Sequence, residues 1–71
     1  MNEDIAFYAF RYALGRRTYS VGIVVSYLLD NWDLLSAKTK ETIKSEITEA
    51  INNNNAGMEM DVKEWSKLLT P

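Results

Sequence analysis

Three arginines, Arg11, Arg16 and Arg17, are all the arginines of this chain, and they fall in the short stretch Phe10–Ser20 beside Phe10, Tyr12, Gly15, Thr18 and Tyr19. Guanidinium groups grip phosphate or carboxylate through paired hydrogen bonds in a fixed plane. The stretch also falls where one helix should end and the next begin, and the free amides of a helix start add partial positive charge. Tyr12 and Tyr19 supply hydroxyl donors, or rings on which a base can stack. Arg11, Tyr12, Arg16, Arg17, Thr18 and Tyr19 therefore form a candidate site for an anion or for a partner. A plainer reading stands beside it. Arginines at a helix C-terminus favour the helix dipole without any ligand. A third helix folding back along the second would also bring Glu46 and Glu49 to about the level of Arg16 and Arg17, where salt bridges take up the charge.

The elements that must position these groups are helical, because apolar residues recur at three- and four-residue spacing and never in clean alternation. A first helix is expected over Glu3–Leu14, with Glu3 and Asp4 at its positive end and Gly15 closing it in a left-handed cap. It carries two apolar stripes: Ile5, Tyr8, Ala9 and Tyr12, and then Phe7, Phe10 and Leu14. Two stripes exceed what one intramolecular contact requires. A second helix is expected over Ser20–Trp32, capped by Thr18 or Ser20. Val21, Val24, Val25, Leu28 and Trp32 form its apolar face, with Ile23, Tyr27 and Leu29 broadening it. The β-branched run Val21–Val25 admits a strand, but its continuation through Leu28 to Trp32 favours helix.

Ser36 should cap a third helix over Ala37–Asn53, with Ile43, Ile47, Ala50 and Ile51 turned inward. Its other face is ordinary solvated surface, with Glu41 and Lys44 at favourable spacing. The polar run 52–55 followed by Ala56-Gly57 makes the obvious loop. Asp61-Val62-Lys63-Glu64 has the form of a capping box that opens a short helix with Val62, Trp65, Leu68 and Leu69 inward. Trp32 and Trp65 read as core residues, and Met58 and Met60 as gap-fillers. The expected fold is all-α, a compact and self-associating bundle of about four short helices in one domain, residues 1–71.

Composition narrows the function by exclusion. The chain has 71 residues, no cysteine and no histidine, so disulfides, zinc clusters and haem ligation are excluded together. A core of this size rarely contributes more than about 3–5 kcal/mol net, and self-association is the staple that remains. A homo-oligomer is expected. The commonest general base and the commonest thiol nucleophile are both missing, and no nucleotide-binding or nucleophile motif is present. A non-enzyme without cofactor or metal follows. No basic leader or membrane-length apolar run occurs, which points to a cytoplasmic protein without a membrane partner. A net charge of −2 makes nucleic acid a less favoured partner.

The string from Phe10 to Tyr19, followed by Val24-Val25, Asn31-Trp32, Gly57-Met58, Asp61-Val62 and Trp65, resembles small uncharacterised proteins encoded by bacteriophages and prophages. The resemblance spans most of the chain and carries no catalytic residue with it. It implies a short accessory phage protein, acting in the host bacterial cell on host machinery or against host defence. Two routes fit. In one, an oligomer sequesters an anionic nucleotide signal, with Arg11, Arg16 and Arg17 on its phosphates and Tyr12 or Tyr19 against its base. In the other, the protein inhibits a defence protein, such as a CRISPR effector, through its surplus apolar surface and basic turn. The alternatives are a small helical DNA-binding regulator and a structural oligomerisation module.

Overall fold

The computed structural model describes residues 1–14, 20–53 and 62–70. They form an all-α bundle: α1 (Glu3–Ala13), α2 (Ser20–Asp30), a single 3-10 turn (Trp32–Leu34), α3 (Ala37–Asn52) and α4 (Val62–Ser66). Gly15, Arg16, Arg17, Thr18 and Tyr19 lie outside the described residues, as do residues 54–61 with Met58, Met60 and Asp61. The expected Gly15 cap, the Thr18 cap and the Asp61 end of the capping box therefore fall there too.

Local chemistry sets the helix ends. Asn2 caps α1 by accepting a 3.1 Å hydrogen bond from the Ile5 amide on its Oδ1. At the other end Leu14 has already left the helix, at φ −62° and ψ 124°, while its N–H still donates to the Phe10 carbonyl. α1 thus stops one residue short of the expected Leu14. Ser36 caps α3 as its sequence indicated, accepting a 3.2 Å bond from the Thr39 amide. The helix then runs to Asn52, with Asn53 as its C-cap.

The second helix is shorter than its apolar pattern implies, and Asn31 shows why. Both its backbone N–H, at 3.2 Å, and its side-chain Nδ2, at 2.8 Å, donate to the Tyr27 carbonyl. Local side-chain bonding of this kind competes with helix propagation. The chain tightens into i→i−3 bonds, from Leu34 to Asn31 and from Leu35 to Trp32. Trp32 consequently belongs to the 3-10 turn and not to α2, and it sits half-buried against the core. The same tightening follows α4, where Lys67, Leu68 and Leu69 donate to Glu64, Trp65 and Ser66.

Two long-range contacts fix the helix directions. The Ser36 amide, just ahead of α3, donates to Glu3 Oε1 at the start of α1. Farther along, Arg11 of α1 pairs with Glu46 of α3 at 2.8 Å. α1 and α3 therefore run parallel, and the returning helix α2 runs antiparallel to α1, which is its most extensive packing partner. Among the described residues the core is wholly apolar: Ala6, Phe10 and Ala13 from α1, Val21, Val25 and Leu28 from α2, Ile43 and Ile47 from α3, with Leu35, Trp65 and Leu68. Phe10 meets Trp65 edge-on, with ring centres 5.5 Å apart at 83°, an arrangement that adds about 0.5–1.5 kcal/mol beyond area burial.

Candidate binding surface

The outer side of α1 carries Ile5, Tyr8 and Tyr12 at 67, 76 and 63% exposure. Positions 5, 8 and 12 recur at three and four residues, so they share one face. The bundle faces the other way. Phe10, Ala6 and Ala13 are buried, and Phe7 and Leu14 pack partly against the core. Of the two stripes expected on this helix, one enters the core and one stays in solvent.

Arg11 is the one member of the arginine cluster among the described residues. Its Nη1 lies 2.8 Å from Glu46 Oε1, and its guanidinium carbon lies 5.8 Å from the centre of the Phe7 ring. The side chain remains 60% exposed, against 25% for Glu46. An ion pair this open to solvent contributes about 0–1 kcal/mol, so it orients Arg11 more than it stabilises the fold. Salt bridging by helix three thus applies to Arg11, through Glu46. Glu49 is exposed. The second oxygen of Glu46, Oε2, is buried and has no hydrogen-bond partner among the described residues. Guanidinium carries five N–H donors in a plane, so contact with one carboxylate oxygen leaves others directed outward.

Tyr8, Arg11 and Tyr12 together line a 260 Å³ recess. The structure therefore joins Arg11 and Tyr12, both expected at a site, and adds Tyr8, which was assigned only to an apolar stripe. The signal for Tyr8 was present: it sits three residues before Arg11 and four before Tyr12, one helical turn in each case.

A second surface lies between α2 and α4. Ile23, at 69% exposure, and Tyr27, at 45%, do not broaden the buried face of α2 as expected but point into solvent. The reason is angular: Val21, Val25 and Leu28 already fill the inward arc, and positions 23 and 27 fall nearly opposite it. With Gly22, Ser26, Asp30, Glu64 and Lys67 they line a shallow 670 Å³ groove. Lys67 Nζ contacts both Glu64 oxygens at 3.1 Å. Glu64, expected to close a capping box with Asp61, thus pairs with a lysine three residues later, while the Asp61 half of that box lies outside the described residues.

On α3, Lys44 sits 6.0 Å from the centre of the Trp32 ring, and the rest of that face is mostly solvated. At the start of α1, the Ser36 N–H bond holds the Glu3 carboxyl below its ordinary value of 4.5, opposed by partial desolvation and helped by the Ser36 and Thr39 hydroxyls. Among the described residues no group of three or more metal-ligating side chains comes together, and no helix is long and apolar enough to cross a membrane. No family model, curated protein or solved structure matches the chain.

Proposed function

We propose that this chain is a non-enzymatic accessory protein of the phage type that counters a bacterial defence system by binding, and that its target is a defence protein. The observation that carries the reading is the set of large apolar side chains left outside a complete core: Ile5, Tyr8 and Tyr12 on α1, and Ile23 and Tyr27 on α2. Tyrosine-rich apolar surface at this density is characteristic of protein interfaces, where aromatic rings fill pockets and their hydroxyls bond at the rim. The α2–α4 groove suits target docking: an apolar floor of Ile23 and Tyr27, with Asp30, Glu64 and Lys67 around it.

A second reading has its own observation. The Tyr8–Arg11–Tyr12 recess combines rings with a cation, the chemistry that takes a base and its phosphate. The sequence pattern adds Arg16, Arg17, Thr18 and Tyr19 as candidates for such an anionic nucleotide site, and they lie outside the described residues. Glu46 counts against it, because the Arg11 charge already faces a carboxylate at 2.8 Å. A DNA-reading role has less support still, since the exposed surfaces of α1 and α2 are apolar where clustered positive charge is required.

The test is native mass spectrometry of the tagged chain recovered from phage-infected bacteria. A single stoichiometric host protein, lost when Ile23→Asp and Tyr27→Asp are combined, is the expected result. A small anionic molecule in place of that protein, released by Arg11→Ala, would establish the second reading. Recovery of the chain alone, from cells in which the defence is suppressed, would overturn both.

A further inference from the structure

We infer that the outer stripe of α1 is the interface of a symmetric dimer, with a second copy of this chain as its occupant. The inference deepens the binding reading above by dividing the exposed surface. The stripe on α1 joins two copies, and Ile23 and Tyr27 on α2 stay open for the target.

Three features of the stripe point to a second copy. The first is its self-complementary pattern. Tyr8 lies near the middle of the line that runs from Ile5 to Tyr12, so a two-fold axis beside Tyr8 sets the helices antiparallel. Each Tyr8 then meets its counterpart, and each Ile5 packs beside the other copy's Tyr12. This is the isologous arrangement that closes a dimer without leaving a free end.

The second feature is charge. Asp4 and Arg11 are both exposed, and they stand seven residues apart, two helical turns along the same flank of the stripe. A two-fold axis perpendicular to α1 keeps each flank on its own side and reverses direction along the helix. Arg11 of one copy therefore comes to the height of Asp4 of the other, within one residue of register. Two such pairs form, one at each end. Glu46 holds Arg11 from within its own chain at 2.8 Å, which presets the guanidinium and leaves its outward donors for the partner's carboxylate.

The third feature is area. Ile5, Tyr8 and Tyr12 at their observed exposures, framed by Asp4 and Arg11, expose roughly 600 Å² per copy, the greater part of the ~800 Å² that each partner of a standard stable interface buries. This also meets the need of a small core without disulfides or metals for further burial.

The native chain is free of cysteine, which permits a direct test. Sedimentation equilibrium of the purified full-length chain at micromolar concentration should give a dimer. Tyr8→Asp should weaken association by roughly 30-fold or more, as loss of a central aromatic anchor does, while circular dichroism shows the same helix content. A single Tyr8→Cys substitution should give a disulfide-linked dimer under mild oxidation, because the two-fold brings the pair together. Glu41→Cys, exposed on α3, should give far less. A wild-type chain that is monomeric throughout, a dimer indifferent to Tyr8→Asp, or equal cross-linking at positions 8 and 41 would each overturn the inference. The target-binding reading fails separately, by absence of a host protein on a chain whose dimer is intact.

Discussion

On its inner face α1 carries Ala6, Phe10 and Ala13, none more than 3% exposed; on its outer face it carries Ile5, Tyr8 and Tyr12, none less than 63% exposed. Apolar character alone does not separate the two faces, because both carry large apolar side chains: Phe7 and Leu14 also pack against the core beside this inner set. Polarity separates them. Two alanines let the α1 backbone approach its neighbours closely, and the fully buried Phe10 finds a matching edge-to-face partner in Trp65. Turned inward, the tyrosines would bring hydroxyls into a core that, among the described residues, contains no polar or charged side chain, a burial that is costly without partners. The bundle therefore buries the face without hydroxyls and leaves the tyrosine-bearing one in solvent.

The strongest way to break this contrast is to truncate each face in turn. Phe10→Ala should cost about 3–5 kcal/mol, which is most or all of the stability of a domain this small. Ile5→Ser, measured on dilute monomer, should stay within about 0.5 kcal/mol. Urea unfolding followed by circular dichroism gives both values, and similar losses at the two positions would erase the distinction. A finer test enlarges the inner face. Ala13→Leu should destabilise by about 1–3 kcal/mol through overpacking; an unchanged urea midpoint would mean that α1 is not closely seated.

The smallest expected effect concerns the tether that holds α1 in register with α3. The Ser36 amide bond keeps the Glu3 carboxyl below its usual 4.5 in the folded chain. A group whose folded value is depressed stabilises the fold above its unfolded value and loses that contribution as pH falls through the folded one. Thermal stability should thus decline modestly as pH drops below about 4.5, and Glu3→Gln should flatten that part of the curve. Superimposable acid limbs for the native chain and Glu3→Gln would show that the bond contributes nothing.

Much of the architecture is local and was legible along the chain. Ser36 and the Ile43–Ile47 spacing placed α3 within one residue of its observed end, because a cap and a 3.6-residue period act on neighbouring groups only. The end of α2 was less legible. The Val21–Trp32 pattern runs through Asn31, and only the double donation from Asn31 to the Tyr27 carbonyl turns Trp32 into a 3-10 turn. The candidate site was legible in part. Arg11 and Tyr12 do stand together, while Tyr8, the most exposed of the large apolar residues, was hidden inside a hydrophobic pattern.

By itself the sequence determined the helical class, the α3 boundary to within a residue, the absence of cysteine and histidine chemistry, and the presence of two apolar stripes on α1. All of these follow from composition or from interactions a few residues apart. Which stripe enters the core, which carboxylate meets Arg11, and whether Ile23 and Tyr27 are buried were decided by tertiary structure. Those outcomes depend on how closely two helices approach and on which side chains the fold brings to the same height, and no spacing along one helix contains that information.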